Sequence, residues 1–150
     1  MKNLKGQSLF EVILALFIIT LIIVAVVILS TNSISNSLSS RNKTLASKYT
    51  QEAVEWLRKQ KEIDFDAFVE NINSSATLTY CLVSTLWNRE GSCETGEIIT
   101  NTIFKREVSF VLEDISGKTL ITADVVTYWD DSKGIHEART VTYFTDTRDQ

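Results

Sequence analysis

The sequence predicts an α+β chain: a long N-terminal helix, with a membrane half and an amphipathic half, packed on a small antiparallel β-sheet head. Three observations predict it. Residues 9–29 form an apolar run whose one charge is Glu11. Neither proline nor glycine interrupts the chain between Gly6 and Gly91, so no backbone breaker ends the helix early. Beyond residue 103 the apolar period changes from helical spacing to alternation, which marks half-buried strands.

The apolar run is 21 residues long. As a helix it spans roughly 31 Å, enough to cross a bilayer core. A carboxylate at the bilayer centre costs about 2.5–3.5 kcal/mol on insertion scales and less towards the edge, so Glu11 asks for a partner. Cleavage after Gly6 supplies one. The new amine on Gln7 is four residues from Glu11 and shares its helical face. With a reference pKa of about 7.7–8.0 it is largely cationic near neutrality and can neutralise the acid within one chain or between chains. In the cut chain Glu11 also lies in the first helical turn, where free N–H groups and the helix dipole favour an anion.

Past the membrane-length segment the chain turns polar but keeps a helical stripe. Ile34, Leu38, Leu45, Tyr49, Trp56 and Ile63 advance by fours and sevens along one side. A single helix over residues 7–61 is roughly 80 Å long, and its second half is expected to lay this stripe on the head. The Ser/Asn-rich residues 30–40 have low helix propensity and mark the place where it could loosen.

Strands are expected at residues 104–112, 120–129 and 137–145. In the first, Val108, Phe110 and Leu112 share one face, and Lys105, Glu107 and Ser109 the other. The second places Ile121, Ala123, Val125 and Trp129 together; the third includes Val141 and Tyr143. Turn-like residues 116–118 and 130–134 join them into a meander, and residues 76–85 are a possible fourth strand.

Composition narrows the function classes. After residue 30 the chain has 13 basic against 18 acidic residues. It therefore lacks the basic field that nucleic-acid binding uses, and no nucleic-acid partner is expected. No catalytic constellation emerges either. Asp64/Asp66, Glu113/Asp114 and Asp130/Asp131 read as solvated termini and turns, and His136, beside Glu137 and without a nucleophile, as a surface histidine. Asn42 and Asn73 open glycosylation-type triplets of low specificity. Trp56, Trp87 and Trp129 read as core packing, with an aromatic ligand platform as the other reading.

The stretch KGQSLFEVILALFIITLI resembles the leader of type IV prepilins and type II secretion pseudopilins: a short basic leader, a terminal Gly, Glu at the fifth mature position and an uninterrupted apolar helix. The resemblance implies four segments: leader 1–6, membrane and filament-core helix 7–30, its amphipathic continuation 31–63, and a β-rich head 64–150. It implies cleavage between Gly6 and Gln7 and N-methylation of Gln7 by a prepilin peptidase/methyltransferase, with Glu11 guiding subunit registration. Its other implied partners are further pilin or pseudopilin subunits, an inner-membrane assembly platform and membrane lipid. The expected function is non-enzymatic, a filament subunit without cofactor or metal. It inserts in a bacterial cytoplasmic membrane with its N-terminus inside and its head outside, then passes into a surface filament.

QEAVEWLRKQ, the cysteine-containing loop, IFKREVSF and VVTYWDDSKGIHEARTVTYFT are similar to heads of minor pilins of the pilus-modification type and of minor pseudopilins. There are departures from the family pattern. Gln7 replaces a common Phe, and Thr20 and Ile28 stand where many major pilins carry Gly and Pro. A helix without those breakers resists local melting, which argues for a minor rather than a bulk-polymerising subunit.

Other readings of the leader stay open. A secretory signal has an apolar core of about 7–15 residues and a small-residue cleavage site, unlike this longer run with an acid at its start. An ordinary signal anchor with Glu11 incidental is oriented the same way by Lys2 and Lys5, and leads to a non-polymerising, membrane-anchored extracytoplasmic binding domain.

Cys81 and Cys93 are the only cysteines. Two thiols without nearby histidine do not complete a structural zinc site, whereas an exported segment favours a disulfide. Closing so short a loop contributes roughly 3 kcal/mol in the chain-entropy picture. Two buried free thiols are the other reading.

Overall fold

The computed structural model describes residues 9–75, 78–87, 89–115 and 118–146. The fold is α+β, with element order α1 (Leu9–Ile63), α2 (Phe65–Ser74), β1 (Thr79–Cys81), β2 (Lys105–Ile115), β3 (Lys118–Asp131) and β4 (Gly134–Thr145). The chain forms two compact units, residues 1–41 and 42–150.

The first unit contains the start of α1, which is continuously helical from Leu9. Residues 30–40 are helical too, despite their low propensity. Helix propagation adds a hydrogen bond for each residue fixed, so a weak stretch inside a long helix costs far less than a new nucleus.

The second unit joins the end of α1, α2 and one antiparallel sheet of order β1-β2-β3-β4. The alternation of residues 104–145 is realised as long hairpins. β2 pairs with β3 from Lys105↔Tyr128 to Ile115↔Lys118, and β3 pairs with β4 from Leu120↔Thr145 to Asp131↔Gly134. The Asp131–Gly134 turn needs its glycine, because Gly134 has φ +112, where a β-carbon is strained. β1 is shorter than expected, since only Thr79–Cys81 of residues 76–85 is strand, and residues 76 and 77 lie outside the described residues.

Helix α2 was not legible as a separate element. Asp64 creates it: its backbone is extended (φ −157, ψ 107) and its carboxylate accepts from the Ala67 N–H at 3.1 Å, capping the new helix. Phe65, Phe68 and Ile72 then fall on one face and are buried in the core.

The stripe expected on α1 requires correction. The fully or nearly fully buried residues are Ala46, Thr50, Ala53, Val54 and Leu57, while Leu45, Tyr49 and Trp56 flank them half-buried. Ile34, Leu38 and Ile63 are exposed. The stripe followed large side chains, but the contact line is built on small ones. Two alanines let the helix approach the sheet closely, and the larger neighbours close over its sides. At the seam the Thr50 hydroxyl lies 2.9 Å from the Thr127 hydroxyl and 3.2 Å from the Ala138 carbonyl, so both threonines are satisfied away from water.

Candidate functional site

In the first unit the candidate residues belong to α1. Glu11 is in its first turn, where unsatisfied N–H groups favour a carboxylate. Gly6 and Gln7 lie outside the described residues. From Leu9 to Leu29 the large apolar side chains are exposed, Phe10 at 73% and Leu29 at 69%. The hydroxyl of Thr20, inside this run, donates to the Phe17 carbonyl at 2.8 Å, so its polar group is met by the helix itself. By length and composition the helix can cross a membrane, and a single-pass anchor is compatible with it.

Cys81 and Cys93 are joined, with S–S 2.00 Å and Cα–Cα 4.9 Å. The bond has an architectural consequence. It brings the chain back along β1, where Cys81 N–H donates to the Arg89 carbonyl at 3.0 Å and Gly91 N–H to the Thr79 carbonyl at 2.8 Å. The open edge of β1 is thereby covered. Arg89 holds the loop beyond it through Glu94 at 2.6 Å and Glu97 at 2.7 Å, and this hydrogen bonding holds the Glu97 carboxyl below its usual range.

Glu107 sits beside the disulfide and serves two partners. Its Oε1 accepts from the Cys93 N–H and from the Tyr128 hydroxyl, each at 2.6 Å. Burial, followed by this hydrogen bond to an anion, pushes the Tyr128 phenol well above its ordinary value. The expected strand face placed Glu107 outside, but not its role as the post to which the cysteine loop is tied.

His136 is not a free surface histidine. It is half-buried on the inner side of β4, stacked on Trp129 with ring centroids 5.3 Å apart, and its Nε2 lies 3.0 Å from Asp131 Oδ1. The Lys133 backbone N–H donates to the same Asp131 oxygen at 2.8 Å; this bond first, and His136 after it, lowers the carboxyl's pKa. Cross-strand pairing Trp129↔His136 explains the stack, because directly opposed residues share a face. The tryptophans do not form one platform. Trp56 and Trp87 meet at 4.9 Å in the main core, while Trp129 packs with Phe104 and Ala46 in a second cluster.

Arg106 was missed at sequence level. Its side chain is 2% exposed, and it donates from Nε to the Leu82 carbonyl at 2.9 Å and from Nη1 to the Tyr49 carbonyl at 2.8 Å. Burial lowers its pKa, opposed by Glu52 at 3.8 Å. The signal was phase: Arg106 falls in step with Val108 and Phe110, which places it on the inner face of β2.

Comparison with protein-family models, with curated proteins and with solved structures finds no match to this chain.

Proposed function

We propose that the chain is a minor pilin or pseudopilin, a non-enzymatic subunit of a type IV pilus or of a type II secretion-like filament. The observation that carries this reading is Glu11: one acid in the first turn of a 55-residue helix whose residues 12–29 are exposed and, apart from Thr20, apolar. A solvent-exposed helix of this composition needs lipid or other helices around it. An acid at its start gains most from a partner cation, which the amine of a chain cut after Gly6 provides. In this reading prepilin peptidase cleaves and methylates the precursor at Gln7, the assembly platform draws the subunit from the membrane, and neighbouring subunits replace lipid around α1. The disulfide-stapled head supports export, since disulfides persist in oxidising compartments.

Glu11→Ala tests it. Removing the charge leaves insertion unchanged or easier but deletes the attraction that registers one subunit against the next. The variant is expected to be cleaved and stable in the membrane yet scarce in sheared filaments, with Glu11→Asp between. Equal incorporation of Ala variant and wild type overturns the registration role and favours a membrane-anchored binding domain.

A further inference from the structure

The two edges of the sheet are treated differently. β1 is three residues long and covered by the returning Arg89–Gly91 backbone, and the part of β2 that runs beyond it carries Glu113 and Asp114. β4, at the other edge, is 12 residues long, and no described strand pairs with its outer side. It contains no proline and no lysine and its register shows no bulge; the charges among its outward-facing residues are Glu137 and Arg139, with Arg139 3.6 Å from Glu137 and 3.3 Å from Asp124 of the same chain. Ile135 and Tyr143 on it are 78% and 65% exposed.

The direction of its backbone groups follows from the hydrogen-bond alternation. Phe110 N–H donates to Leu78 O and Leu82 N–H to Arg106 O, so even-numbered residues of β2 face β1 and odd-numbered ones face β3. Carried through the registers, odd residues of β3 bond β4 and even residues of β4 bond back. The N–H and C=O groups of Ile135, Glu137, Arg139, Val141 and Tyr143 therefore point to the open edge. The side chains of these same residues stand on the face away from the helices.

We infer that β4 pairs antiparallel with β4 of a second copy of this chain, about a two-fold axis at Ala138. That register is selected by charge. It sets Glu137 opposite Arg139 of the other copy twice over, and Ile135 opposite Val141 twice over. A register centred on Glu137 puts two glutamates face to face, and one centred on Arg139 two arginines; like charges directly opposed are unfavourable. Ala138, whose backbone bonds inward, becomes a non-hydrogen-bonded pair on the axis, where cross-strand side chains approach most closely. The axis is normal to the sheet, so the sheet-packed segments of α1 in the two copies run in opposite directions. The pairing goes beyond the filament reading and does not depend on Glu11.

The test uses the full chain reconstituted at one copy per lipid nanodisc, so that the apolar helix is occupied and only heads can meet. Sedimentation over a concentration series is expected to show particles of doubled mass for wild type. Val141→Pro removes an N–H that faces the open edge, without a partner among the described residues, and that would donate across the axis. It is expected to abolish the doubled species while leaving far-ultraviolet circular dichroism and the melting midpoint unchanged. Glu137→Lys is expected to weaken pairing by opposing two cations. Ala138→Cys is expected to give a disulfide-linked dimer on mild oxidation, whereas Asp66→Cys, at an exposed position of α2, is not. Wild type that stays single at every concentration overturns the proposal, as does doubling that survives Val141→Pro. Glu11→Ala, which tests filament assembly, leaves this readout unchanged, so the two proposals fail separately.

Discussion

The guanidinium of Arg106, on β2, donates from Nη1 to the backbone carbonyl of Tyr49, on α1, at 2.8 Å inside the head. The same side chain donates from Nε to the Leu82 carbonyl, so one cation ties helix, sheet and cysteine loop at a point closed to water. Its nearest carboxylate, Glu52, is half exposed and 3.8 Å away, a weak partner for a buried charge.

Arg106→Lys is therefore expected to destabilise the head more than Arg106→Met. Lysine keeps a charge in the same low-dielectric place but lacks the planar fork that reaches both carbonyls. Methionine removes the charge, leaving chiefly the Leu82 carbonyl unsatisfied, at a cost of about 1–3 kcal/mol. Urea unfolding of the full chain in detergent, followed by near-ultraviolet circular dichroism, checks the order. A methionine variant less stable than the lysine variant contradicts it.

Changing both Cys81 and Cys93 to Ser is expected to lower head stability by about 3 kcal/mol, since the bond constrains a short loop in the unfolded chain. It has a local consequence as well. Amide exchange at Cys81 and Gly91, whose N–H groups hold the returning segment against β1, is expected to accelerate more than exchange in β3. Uniform acceleration across the sheet shows that the bond does not act through the β1 edge.

Alkaline pH is expected to unfold the head through Tyr128. Its folded pKa is raised, by burial first and by the Glu107 bond second, so the folded state favours the neutral phenol. That contribution is fully present below the unfolded value near 10 and is lost as pH rises through the folded value. Melting midpoints across this range should fall less steeply for Tyr128→Phe than for wild type. Parallel curves would remove Tyr128 from the account.

Processing depends on Gly6 in the proposed function. Gly6→Val is expected to leave an uncut precursor when co-expressed with prepilin peptidase, because a β-branched side chain blocks a site matched to glycine. Intact-mass measurement reads the outcome directly. A wild-type product that retains residues 1–6 excludes the filament-subunit reading.

The sequence by itself determined the α+β class, the continuous helix and the strand alternation, because each rests on a local signal, and it favoured the cysteine pair that the structure joins. A stretch without proline or glycine carries no backbone breaker as far as Asp64, and Val108, Phe110, Ile121, Ala123 and Val125 alternate strictly enough to orient two strands. Only the tertiary structure decided which face of α1 meets the sheet, since Ala46 and Ala53 carry little hydrophobic signal and matter through how closely they let two backbones approach. It also decided that Asp64 starts a second helix, that His136 stacks on Trp129, and that Arg106 is buried. The cap at Asp64 is local, but the burial of Phe65, Phe68 and Ile72 that fixes the second helix, the closing of the β3–β4 hairpin and the carbonyls that Arg106 meets are all tertiary. A histidine or an arginine has the same local propensity whether it meets water or an indole ring and two carbonyls, and that choice is made only when the strands and helix close around it.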